Sequence, residues 1–178
     1  MPSNSQARYA IATVTAVGKD LALTLREKLG KEIPIYTTPR LADDRVIAIE
    51  GRVIEALGQL FQEVDVLICI MAIGAVVRAI APVLKDKASD PAVVVMDEKA
   101  TNVISLLSGH LGGANQVALD IAELLGSNPV ITTATDVQNV TALDNLAQSV
   151  NGWRPELREF IKPFNSYLGS GRTVYFYQ

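Results

Sequence analysis

VDVLICIM, residues 64–71, is apolar at every position but Asp65, and the run continues without a charged or polar side chain through AIGAVV (72–77) until Arg78 stops it. The class of the chain turns on how this run folds. The uninterrupted stretch, Val66 to Val77, is shorter than the roughly 18 residues a membrane helix needs. A strand covered on both faces, running into a helix, fits it better.

Outward from this strand the pattern repeats. Upstream, YAIATVTA (9–16) reads as a first strand, followed by a Gly18-Lys19-Asp20 turn and a helix over LALTLREKLG (21–30) that Gly30 is placed to end. IPIYT (33–37) is a second strand, and RVIEALGQLFQE (52–63) is an amphipathic helix. Downstream, a glycine turn at Gly74 leads into a short helix, AVVRAIAPVL (75–84), broken by Pro82. KDKASDP (85–91) is a polar loop whose charges, Lys85, Lys87 and Asp90, are either simply solvated, the default for such a run, or part of a loop that swings over a site. AVVVMD (92–97) and VISLLS (103–108) are further strands, ANQVALDIAELLG (114–126) is the clearest helix, PVITTAT (129–135) is a strand and TALDNLAQSV (141–150) a helix. Beyond Trp153 the pattern fades: FIKPFNSYLGSGRTVYFYQ (160–178) reads as a proline break, a Gly-Ser-Gly turn and a final strand. Strands alternating with helices of this length predict an α/β fold: a layered, largely parallel sheet flanked by helices. We expect one α/β domain over 9–140 and a further segment over 141–178.

Composition narrows the function. A net charge of −3 with no basic run argues against nucleic acid and acidic membranes as partners. The only cysteine, Cys69, allows no disulfide framework, and MPSNSQARYA has no apolar signal core; both suit a cytoplasmic location. With one His, one Cys and no acidic cluster at ligand spacing, we expect no metal and no cofactor held by the protein.

Ligands of open α/β sheets gather at the carboxyl ends of strands. Ala72-Ile73-Gly74, Asp97-Glu98, SGHLGGAN (108–115) and TTATD (132–136) each follow a strand, so we expect them to converge. SGHLGGAN carries the only histidine, His110, among glycines ahead of a helix whose free N–H groups suit a carboxylate or phosphate. Imidazole titrates near 6.5 and serves as acid or base near neutrality. The spacing leaves open a plain strand-to-helix turn in which His110 only bonds a neighbouring backbone. The order of residues matches neither a nucleophile elbow nor a dinucleotide fingerprint. The hydroxyls of TTATD could grip a polar ligand or cap the next helix. Asp97-Glu98 could hold a base or be a solvated turn. Arg78 could pair with a carboxylate or form a structural ion pair.

VVRAIAP (76–82), KDKASDPAVVVMDE (85–98), ISLLSGHLGGAN (104–115) and PVITTATD (129–136) together resemble the N-terminal domain of the CbiG family, the cobalt-precorrin-5A hydrolases of anaerobic cobalamin biosynthesis. Residues 158–178 look like the opening of that family's middle region. Lys99-Ala100-Thr101-Asn102 departs from the aromatic or large apolar residue usual there. The resemblance implies a tetrapyrrole substrate that brings its own cobalt, opening of its δ-lactone, carbon–carbon cleavage and release of acetaldehyde. His110, Ser108 and Asp136 are then the catalytic candidates. Gly74, Arg78, Gly112, Gly113, Asn115, Thr132, Thr133 and Thr135 are the substrate-binding candidates, with main-chain amides of Gly112 to Ala114 facing an oxyanion. The family continues into the rest of the middle region and often a CobE-like domain, so these, or a homodimer partner, are the expected completions. The alternative is a non-catalytic module that binds corrinoid intermediates; a nucleotide- or phosphate-binding protein is a more distant third.

Overall fold

A computed structural model describes residues 7–86, 89–133, 158–170 and 172. The chain divides into two compact units, Met1–Val130 and Ile131–Gln178.

The first unit holds a seven-stranded sheet in the order β3-β2-β1-β4-β5-β6-β7. Its strands are β1 (Tyr9–Thr13), β2 (Ile35–Thr37), β3 (Ile47–Ala48), β4 (Val66–Ile70), β5 (Ala92–Met96), β6 (Asn102–Leu107) and β7 (Asn128–Val130). Its helices are α1 (Ala16–Leu29), α2 (Val53–Glu63), α3 (Ile73–Ile80) and α4 (Ala114–Leu125). The apolar core of VDVLICIM, Val66–Ile70, is β4, buried at every position between β1 and β5. Alternation along the central strands divides the core. Ile11, Ile68, Ile70 and Val94 pack under α1 and α4 with Leu25 and Ile121, while Ala10, Leu67, Cys69 and Val95 face α2 and α3 with Leu57, Phe61 and Ile80. Burial pushes the Cys69 thiol up to about 12, which keeps it protonated and inert.

All strand pairs are parallel except β5–β6, which is antiparallel with Val93 opposite Leu107 and Met96 opposite Val103. The cause is connection length. Only residues 97–101 join the two strands, and a parallel crossover needs a dozen residues or more. Asp97 closes the reversal: its carboxylate accepts from the N–H groups of Lys99 (3.0 Å), Thr101 (3.2 Å) and Asn102 (2.7 Å).

Several local expectations are corrected. Gly18-Lys19-Asp20 is not a turn but part of α1, which begins at Ala16 because the Thr15 hydroxyl accepts from Gly18 N at 3.1 Å. Gly18 also lies too close to the Thr13 hydroxyl for any side chain. Gly74 lies inside the first turn of α3. Of the strand expected over 129–135, the described residues hold only the end of β7, with 131–133 outside any strand and 134–135, like the helix expected over 141–150, lying outside the described residues. In the second unit, the proline break is instead a helix, α5 (Arg158–Gly169), with Pro163 inside it. The proline withholds one N–H, which is not enough to end the helix. Among the described residues no helix is long and apolar enough to cross a membrane.

Candidate functional site

The antiparallel β6 delivers SGHLGGAN to the amino-terminal end of the parallel strands. Ser108, at φ +57°, turns the chain out of β6 and donates its hydroxyl to the Asp90 carbonyl at 2.9 Å, just ahead of β5. The loop before β5 is itself tied off, because both Asp90 carboxylate oxygens accept from Lys85 N at 3.1 Å. Asp90 thus joins the two ends of the loop, Lys85 and the start of β5. Gly112 backs onto the same place: a Cβ there would lie 2.5 Å from Ser108 Cβ, 2.8 Å from Ser108 O and 3.3 Å from Ala92 N. Only glycine fits so close to backbone.

The chain then folds over the start of α4. Gly113 N donates to His110 O (3.0 Å), Ala114 N to Ser108 O (3.2 Å) and Asn115 N to Gly109 O (3.0 Å). The turn's own carbonyls thus satisfy donors that an uncapped helix leaves open. This corrects the expected oxyanion cradle, since the Gly113 and Ala114 amides are committed. Gly112 N makes no hydrogen bond among the described residues. His110 is half-buried at the surface of this turn rather than sealed in hydrocarbon. Asn115, 6% exposed, lays its carboxamide across Gly109, and its Oδ1 accepts from the Ser105 hydroxyl at 2.6 Å.

The expected convergence at one end of the sheet is overturned. Gly74 and Arg78 come together with each other, Arg78 Nη1 donating to Gly74 O at 2.9 Å. They stand at the carboxyl end of β4, roughly a five-residue strand length (~16 Å) from the His110 turn. Glu98 shares their end and accepts from the Thr15 hydroxyl at 2.6 Å. For Asp97, desolvation pulls the pKa upward, but the Asn102, Thr101 and Lys99 N–H groups outweigh it and hold the carboxyl below its usual range. It is the buckle of a hairpin, not a base. Thr132 and Thr133 open the second unit immediately beyond β7, and Thr135 and Asp136 lie outside the described residues. His110, Ser108, Gly112, Gly113 and Asn115 share one turn. Ser105 escaped the sequence reading; its signal was a hydroxyl inside the apolar strand VISLLS. Among the described residues no group of three or more His, Cys, Asp or Glu is placed to hold a metal.

Residues 55–136 match the family model described as cobalamin synthesis G N-terminal, CbiG_N. A relative from Salmonella typhimurium named cobalt-precorrin-5A hydrolase is 43% identical over 154 residues, covering 85% of this chain and 44% of the relative. A second protein of that name, from Priestia megaterium, is 38% identical over 170 residues, covering 93% of this chain and 45% of the relative. The chain thus spans less than half the length of these relatives. A crystal structure of a protein described as a cobalamin biosynthesis protein G homolog, from Sulfolobus solfataricus, aligns with TM-score 0.57 at 24% identity, over 96% of this chain and 51% of that one. At that identity the likeness speaks for the fold alone.

Proposed function

The chain belongs to the CbiG family through its N-terminal region, and on that premise we propose that it takes part in cobalt-precorrin-5A hydrolysis, with the His110 turn as its reactive site. The substrate is a ring-contracted tetrapyrrole carrying cobalt and a δ-lactone. His110 takes a proton from water as the water oxygen attacks the lactone carbonyl. The oxyanion that forms needs a donor, and the Gly112 N–H, within the same turn, is the main-chain candidate. Collapse of the tetrahedral species breaks the acyl–oxygen bond and leaves a carboxylic acid and an alkoxide. The alkoxide carbon becomes the aldehyde carbon of acetaldehyde as its bond to the macrocycle breaks. That electron pair passes into the conjugated ring, and the imidazolium returns its proton there. Cobalt stays in the substrate throughout, so the proposal assigns the protein no metal or cofactor. Gly74 and Arg78 have no part in this site. Further family domains, or a second copy, would supply the remaining walls around the macrocycle. A reducing cytoplasm is the proposed location, where the inert Cys69 stays a thiol.

One observation supports the reading most: the sole imidazole of the chain stands, partly buried, on a glycine-rich turn that its own backbone hydrogen bonds hold in shape. The experiment is His110→Ala and His110→Gln in the protein that carries this chain, with acetaldehyde measured under anaerobic conditions. Loss of a general base lowers turnover by about 10²- to 10⁴-fold. Unchanged turnover in folded variants removes His110 from the chemistry.

The committed Gly113 and Ala114 amides favour a second reading, a corrinoid-binding module that does no chemistry, because they leave the turn few donors for an oxyanion. Titration with a cobalt-corrinoid analogue separates the two: tight binding without acetaldehyde release supports the module.

A further inference from the structure

We propose that Ser105 is a positioning residue for the His110 turn, acting through the carboxamide of Asn115; the catalytic half of this inference rests on the function proposed above. Ser105 lies on β6, three residues before the turn, and its hydroxyl reaches Asn115 Oδ1 at 2.6 Å. Ser105 is partly buried on the face of β6 that turns toward α4. A strand beneath a helix is best filled by β-branched or apolar side chains, as Val103 two residues earlier is.

What the hydroxyl does follows from what Asn115 touches. Asn115 grips Gly109 twice. Its backbone N–H donates to Gly109 O at 3.0 Å, and its carboxamide lies so close over the Gly109 Cα that a Cβ there would be 2.7 Å from Oδ1 and 3.1 Å from Nδ2. Gly109 is the residue immediately before His110. A carboxamide buried to this degree keeps a single orientation only if its polar edges are held. Ser105 holds the Oδ1 edge from the strand side. The strand thus fixes the amide, the amide fixes Gly109, and Gly109 sets the direction in which the imidazole leaves the backbone. Remove the hydroxyl and the Oδ1 edge of the amide loses its hold from the strand, so the carboxamide and the Gly109 backbone beneath it shift.

The chain's single histidine makes the test direct, because one labelled imidazole gives one set of NMR signals to follow against pH. The variants are Ser105→Ala and Ser105→Thr. We expect Ser105→Ala to displace the imidazole shifts and its titration midpoint, and Ser105→Thr, which keeps the hydroxyl, to restore both. In the acetaldehyde assay Ser105→Ala should lower kcat by about tenfold to a hundredfold with KM nearly unchanged, as a small misplacement of a reacting group does. Should Ser105→Ala fail to fold, Ser105→Cys, nearly isosteric and only a weak donor, takes its place with the same expected shifts. Titration curves that superimpose on the wild type overturn the proposal. If His110→Ala leaves turnover intact, the catalytic reading falls while the NMR comparison still decides whether Ser105 positions the turn.

Discussion

Ser108 holds a backbone conformation that a residue with a β-carbon adopts only at a cost, φ +57°. The left-handed region costs an L-residue on the order of 1 kcal/mol. Its hydroxyl offsets this by donating to Asp90 O, a contact across eighteen positions of sequence that only the antiparallel β6 brings about. The two contributions come apart by mutation. Ser108→Ala keeps the backbone strain and loses the bond, so it should lower stability by about 1 kcal/mol. Ser108→Gly loses the same bond but relieves the strain, and should unfold close to the wild type. Urea denaturation of both variants checks this; an alanine variant as stable as the glycine one would mean that φ is relaxed or costs nothing. Gly112→Ala should do more damage, because its methyl group meets Ser108 Cβ, Ser108 O and Ala92 N at once. A loss of about 1 to 3 kcal/mol is expected from overpacking against backbone that cannot yield, together with a displaced His110 signal in the same NMR experiment. The sequence announced that this turn was glycine-rich and held the lone histidine. It could not reveal that the amides of Gly113 and Ala114 are spent, because their acceptors are set by how the loop wraps, not by which residues it contains.

The β5–β6 hairpin is the element that decides where the site stands. Its five connecting residues were on view in the sequence between AVVVMD and VISLLS, and their number already excluded a parallel crossover. The elements themselves were legible because apolar runs and helical spacing repeat at the right lengths. Strand direction was not read, since periodicity carries no sign for it. From that single reversal follow the separation of Arg78 from His110 and the meeting of Ser108 with Asp90. Asp97 should therefore matter to stability more than to chemistry. Asp97→Asn removes the charge that three backbone N–H groups converge on, and should cost about 1 kcal/mol at neutral pH once solvent screening is allowed for. The sign with pH follows from the depressed carboxyl. A carboxylate whose folded pKa lies below its unfolded value near 3.9 contributes stability above that value. The contribution fades as pH falls through the folded pKa. The gap in denaturation midpoint between wild type and Asp97→Asn should then be full at pH 7 and shrink below pH ~4. A gap that stays constant down to acid would show that geometry rather than charge closes the hairpin.

The first unit carries its own two-sided core. Among the described residues, the side chains that form the layer beneath α1 and α4 and the layer beneath α2 and α3 come from residues 9–125. Strand order adds to this independence: β1, inside the sheet, pairs with β2 and with the central β4, so distant parts of the first unit must assemble together before any strand is covered on both sides. Such long-range pairing makes for cooperative, all-or-none folding of the whole sheet rather than piecewise growth. A fragment ending at Val130 should accordingly express as a folded domain, unfold in one cooperative transition and protect the amide protons of β1, β4 and β5 most strongly against exchange. The central strands are buried at nearly every position, which is why they, and not β3 or β7 at the edges, should exchange last. A fragment ending at residue 140, where sequence alone draws the boundary, is the natural control and should behave alike. If the shorter fragment instead melts without a transition while the longer one folds, residues 131–140 complete the sheet's stability and the unit does not end at β7. If neither folds, the layers contributed by residues 9–125 are insufficient, and the core of this domain must be sought beyond them.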